Sequence, residues 1–134
     1  MTKADFDIQL LAGESTGITT YYRPGDLLRA QVTIFTDDEV KCRDIHARLL
    51  WYTEGRGTRY QEIVSEKSLF QGVLQAGFPN SYEFAFDLPR DPWSYEGHYV
   101  SVVWVVQIDI DIPWGKDIIE NKRFILRPQL QEEN

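Results

Sequence analysis

The stretch Glu83–Pro113, EFAFDLPRDPWSYEGHYVSVVWVVQIDIDIP, decides how the chain is read. Two extended segments flank a polar corner. In the first, Tyr82, Phe84, Phe86 and Leu88 alternate with Ser81, Glu83, Ala85 and Asp87, the period of two that marks a half-buried β-strand. In the second, Val100, Val102, Trp104, Val106, Ile108, Ile110 and Ile112 share one face. The other face runs Ser101, Val103, Val105 and then Gln107, Asp109, Asp111. Such a strand is about 40 Å long at the usual rise per residue. Its centre is apolar on both faces, which places it inside a sheet rather than at an edge, with a second layer packed across from it.

The flanking sequence repeats the pattern. Asp5–Leu11 puts Phe6, Ile8 and Leu10 on one face; Leu27–Thr36 does the same with Leu28, Ala30, Val32 and Ile34. Val40–Thr53 carries Ile45, Ala47, Leu49 and Trp51 on one face and His46, Arg48, Leu50 and Tyr52 on the other. Arg59–Phe70 is extended with a break at Ile63-Val64 that fits a bulge or a helix-like irregularity. A short strand is expected at Val73-Leu74 and a last one over Ile118–Arg127. Between them lie turns: Gly13–Thr20, the Pro-Gly turn in Tyr21–Asp26, Asp37–Glu39, the glycine-rich Glu54–Thr58, and Trp114–Asp117. Pro128–Asn134 reads as a frayed polar tail. No window shows capped helical spacing. About seven to nine strands at short spacing predict an all-β, immunoglobulin-like antiparallel β-sandwich.

The 134 residues suit one domain spanning 1–134, long enough to bury roughly two-thirds of its unfolded surface without a metal or disulfide. A formal charge of −7, with 21 acidic and 14 basic residues, argues against nucleic acid or anionic membrane as a default partner. Cys42 is the only cysteine, which fits a reducing compartment. MTKADFDIQL has no signal-peptide pattern, and no apolar run reaches the roughly 18–20 residues of a membrane helix. The expected location is cytoplasmic, without direct membrane insertion.

Candidate chemistry is sparse. Asp109, Asp111, Asp117 and Glu120 invite a calcium or hydrolase reading, but no loop wraps six to eight oxygens, and a solvated strand face is the expectation. Cys42 and His46, four apart on a strand, fall on one face about 13 Å apart, too far for a shared metal or a nucleophile pair. Glu54-Gly55-Arg56-Gly57 lacks the lysine and helix of a phosphate loop. No catalytic, cofactor or metal residue is assigned. The surface signal is aromatic. Trp93 and Trp114 lie in turns at opposite ends of the long strand, with Tyr95 and Tyr99 near the first. Such side chains anchor protein interfaces, stack on sugar rings, or cap sandwich ends. Edge strands offer a further route, to a partner peptide or to a second copy.

Tyr22-Arg23-Pro24-Gly25-Asp26, Val32-Thr33-Ile34, Ile45 to Trp51, Phe84-Ala85-Phe86-Asp87-Leu88-Pro89, Ser94-Tyr95-Glu96-Gly97 and the strand ending Asp111-Ile112-Pro113 follow one another in an order that resembles the arrestin-like family, most closely its N-terminal type of domain. Pro92, Ser94, Tyr95 and Gly97 match that family's corner between strands. The resemblance spans Phe6 to Leu126. It implies a single-domain version of an arrangement that usually comes in tandem, and a non-catalytic scaffold or adaptor whose partners are other proteins bound at loops and edges. Paired lysines that sense phosphate in some relatives have no counterpart in Asp5–Gln9. The alternative is a carbohydrate-binding module using the loop tryptophans.

Overall fold

The computed structural model describes residues 4–57 and 59–128. Ten strands follow in order: β1 (Ala4–Leu11), β2 (Glu14–Thr16), β3 (Thr19–Tyr22), β4 (Leu27–Thr36), β5 (Val40–Gly55), β6 (Gln61–Leu74), β7 (Asn80–Asp87), β8 (Tyr95–Glu96), β9 (Val100–Asp111) and β10 (Ile118–Leu126). They form two sheets, β1-β4-β7 and β2-β3-β10-β9-β5-β6, with β8 added beside β9. The expected all-β sandwich is what the alternation produces. The tail expected at 128–134 falls outside the described residues except for Pro128.

The core lies between the sheets. Leu28, Ala30, Val32, Ile34, Phe84 and Phe86 from the smaller sheet meet Ile45, Ala47, Leu49, Trp104, Val106, Ile108 and Ile110 from the larger. Trp104, the largest fully buried side chain, packs on Phe124 at a ring distance of 5.9 Å, and Phe124 meets Tyr22 edge-on at 5.7 Å. Each such aromatic removes of order 200 Å² from water, worth several kcal/mol. Tyr22 is buried yet its hydroxyl donates to Leu11 O at 2.7 Å, which removes the cost of hiding a polar group. Burial, aided by Asp26, pushes its phenol up to about 12.

Several expectations need correction. The Gly13–Thr20 link is a hairpin, with Glu14 paired to Tyr21 and Thr16 to Thr19. The sandwich is not wholly antiparallel, because β3 runs parallel to the end of β10. Gln71–Leu74 continues β6 rather than forming a separate strand. The Ile63-Val64 break is a bulge: Leu49 opposes Ser65 and Leu50 opposes Ile63, leaving Val64 as the extra residue. A second irregularity between Cys42 and Ile45 inverts the alternation. Cys42 therefore joins the core while His46 sits with Arg48 on the other face; they are not on one face as simple spacing predicts. Val100 is 41% exposed, because β9 runs on past the core.

Candidate interaction surfaces

The corner between β7 and β9 is built from the residues that stand out in sequence. The Asp91–Pro92 bond is cis. Pro92 O accepts the indole N–H of buried Trp104 at 2.9 Å, so the corner supplies the polar partner that a core tryptophan needs. Ser94 joins β10 to the corner twice, donating its N–H to Leu126 O at 2.8 Å and accepting Leu126 N–H on its hydroxyl at 2.9 Å. A Cβ at Gly97 would collide with Val100 O and the Tyr95 ring. Gly55 lies against the Tyr99 carbonyl with φ +136, a backbone that only glycine adopts freely. Pro92, Ser94 and Gly97 therefore have structural roles.

Beside this corner is an open cleft of about 140 Å³ where β10 leaves β9 for β3. Val102, Val103 and Ile125 line it, together with Arg123, Arg127, Glu54 and Glu96. Arg123 is already engaged, donating to Glu54 at 2.9 Å and to the Tyr52 hydroxyl at 3.1 Å. Tyr52 also carries Arg59 over its ring at 4.0 Å. Tyr52 in turn clusters with Leu50 and Val105, with Val103 packed against them; Leu50 and Val105 are each only 1% exposed.

The same face becomes polar toward the other end of β9. Arg48 bridges three strands, reaching Glu66 on β6 at 2.5 Å and, on β9, Asp109 at 2.6 Å and Gln107 at 3.0 Å. Asp109 is 3% exposed, so the expected solvated face is here a buried ion pair. The sequence pattern hides this, since nothing in an alternating Asp-Ile-Asp run distinguishes a carboxylate that meets an arginine from one that meets water. Burial pushes the Asp109 carboxyl above the usual range; Arg48 pulls it down, and the Asp117 carboxyl within hydrogen-bonding reach pushes it up again. Its Oδ1 has no donor among the described residues. Glu66 is held low by the Arg48 guanidinium. Asp44 is held low against its desolvation by hydrogen bonds from Ser68 and Gln71. His46 lies 4.0 Å from Asp44 and 3.9 Å from Glu66. Burial raises the Cys42 thiol, which makes it a poor nucleophile. Among the described residues no group of three or more His, Cys, Asp or Glu side chains converges as a metal site.

The two loop tryptophans differ. Trp93 is half-exposed, and its indole donates to Arg90 O at 2.9 Å. Trp114 is fully exposed, at 102%, and its backbone is left-handed with φ +65. Left-handed backbone costs an L-residue about 1–2 kcal/mol, and nothing packs on this ring in return. The turn is closed by Gly115 N–H to Ile112 O at 3.3 Å and by Ile112 N–H to Asp117 Oδ1 at 3.4 Å. The two residues flank a 12-residue strand, so they form no common site. No helix among the described residues is long and apolar enough to cross a membrane.

No protein-family model matches the chain, and no curated protein does. Among solved structures it is similar to Spo0M, a sporulation control protein from Bacillus subtilis, with a TM-score of 0.69 and 21% identity over 92% of this chain and 49% of that one. The chain thus spans about half the length of that protein. Spo0M has an arrestin-like fold, and the chain shares that fold: an all-β, arrestin-like sandwich.

Proposed function

We propose that this chain is a non-catalytic, cytoplasmic scaffold or adaptor that binds other proteins through its rims and edges, with Trp93 and Trp114 as partner-binding anchors. The observation that carries this reading is Trp114. A large aromatic held fully in water, on a backbone that disfavours it, has a cost that only an external contact offsets. Exposed Tyr95, Tyr99 and Val100 add apolar surface at the opposite rim, and β6 leaves a 14-residue strand paired on one side only, open to a partner strand or a second copy. A solved protein of this fold is described as a sporulation control protein. Nucleic acid is disfavoured by the charge of −7.

The test is in-cell crosslinking from photoreactive groups placed at residues 93 and 114, followed by mass spectrometry. Discrete protein adducts at either position are expected. Absence of protein adducts, together with quenching of tryptophan fluorescence by oligosaccharides, would favour the glycan-binding alternative; hydrolase activity in the pure protein would end the non-catalytic reading.

A further inference from the structure

Trp114 does not stand alone. Three residues on, Asp117 closes the same turn by accepting Ile112 N–H, and its charge helps push the nearby Asp109 carboxyl upward, after burial. Asp109 is almost wholly buried. One oxygen is bound by Arg48, and the other, Oδ1, has no donor among the described residues. An unpartnered carboxylate oxygen close to a second carboxylate is an unbalanced arrangement, since like charges repel and disfavour the ionised form of the buried one. The surroundings do not correct it. Asp44 faces Asp111 across the β5–β9 pair, and Glu66 lies beyond Arg48. Against five carboxylates stand Arg48, already shared between Asp109 and Glu66, Arg43, 3.9 Å from Asp111, and Lys116 in the turn itself. His46 is the neighbour of Asp109 on β5 and lies near Asp44 and Glu66. The patch is short of positive charge, and an exposed indole, the ring type with the strongest affinity for cations, projects from its edge.

We infer that the β9–β10 turn is a docking point for a basic segment of a protein partner, whose arginine or lysine head sets its charge on Asp117 over Asp109 and lays its stem or guanidinium plane on Trp114. The inference rests on the protein-binding reading above and specifies the chemistry of the partner at one of its two tryptophans. Arginine suits the site better than lysine, because a planar guanidinium both stacks and donates to two carboxylate oxygens. The contact weakens with salt, since both Asp117 and Trp114 are exposed.

The test uses a fluorescein-labelled, capped tetra-arginine peptide titrated with the full chain by anisotropy at low ionic strength. Asp117→Asn and Trp114→Ala are each expected to weaken binding about fivefold, the size of an exposed ion pair or cation–π contact. The control is the double variant Asp5→Asn, Asp7→Asn, which removes two charges from the outer face of the other sheet and is expected to change affinity less than about twofold. Both test positions are exposed, and a urea curve confirms that each variant folds. Equal losses in Asp117→Asn and the control reduce the effect to net charge and overturn the inference. So does binding indifferent to Trp114, or no binding at all. Discrete protein adducts from residue 93 or 114 alongside a silent tetra-arginine titration would leave the scaffold reading standing and reject the basic segment alone.

Discussion

Replacing Arg48 by methionine keeps the length and packing of the side chain and deletes its charge. Asp109 is then a buried carboxylate with neither oxygen bonded, because Arg48 is its only donor among the described residues. Breaking a buried pair by removing one partner costs about 3–5 kcal/mol; Arg48 keeps 19% of its side chain in contact with water, so the lower end, about 3 kcal/mol, is expected. Glu66, nearly half exposed, adds at most about 1 kcal/mol. A chain of this size holds roughly 7–15 kcal/mol, so the variant still folds. In urea the midpoint is expected to fall by about 1–2 M. The loss depends on pH in a defined sense. Asp109 already binds its proton more tightly in the folded chain than in the unfolded one, so its contribution favours folding at low pH and is lost as pH rises through the raised value. Without Arg48 that value rises further. The deficit of the variant is therefore greatest near pH 7 and shrinks as pH falls and Asp109 takes up its proton in both the native protein and the variant. Adding Asp109→Asn to Arg48→Met is expected to recover most of the loss at pH 7, since the stranded charge is gone. A deficit below about 1 kcal/mol at pH 7, or one as large in the Asp109→Asn background, would refute the assignment of a buried ion pair to this face.

Three further outcomes are expected. Tyr22→Phe leaves the Leu11 carbonyl without its 2.7 Å donor and should cost about 1–2 kcal/mol at pH 7. The native chain should in addition lose stability between pH 10 and 12, because the unfolded tyrosine ionises at its ordinary 10.0 while the folded one holds its proton to about 12. The variant should lack that component, and matched alkaline melts are the check. Gly55→Ala sets a methyl group against the Tyr99 carbonyl at a φ of +136 and should lower stability by about 2 kcal/mol or more; a urea midpoint within error of wild type would show that this strand end is loose. Trp114→Gly relieves the left-handed backbone at no packing cost, and should raise stability by about 0.5 kcal/mol after the added freedom of the unfolded glycine is counted. A loss beyond about 1 kcal/mol would mean that the ring packs on the protein in solution.

Legibility in the sequence tracked locality. Alternation along Leu27–Thr36 and Tyr82–Asp87 carried its own meaning, because the inward Leu28, Ala30, Val32, Ile34, Phe84 and Phe86 are apolar and each strand regular. Where an irregularity changes parity the pattern misleads. Cys42 and His46 look like neighbours on one face until the register shift before Ile45 separates them. The Gly13–Thr20 hairpin escaped because β2 and β3 are short and β10, the strand that ties β3 into the sheet, is about a hundred residues away. The corner residues were legible as a group, yet what each one bonds was not, since Ser94 meets Leu126 and Pro92 meets Trp104 only after folding. Trp114 was visible as a loop aromatic, but its full exposure and left-handed backbone are properties of the turn. Asp109 was assigned to solvent because its arginine comes from another strand, 61 positions away.

The position of β10 has a consequence for how the molecule is made. Its final strand lies inside the larger sheet, between β3 and β9, and Phe124 supplies the ring on which Tyr22 and Trp104 both rest. On a ribosome adding roughly 5–20 residues each second, the β2–β3 hairpin emerges and waits on the order of 5–20 s for its neighbour. At the end of that interval, once Asp111 has been added and until β10 follows, the nascent chain displays the bare edge of β9, a strand rich in valine and isoleucine. Its need for a chaperone is therefore concentrated just before translation reaches Ile118.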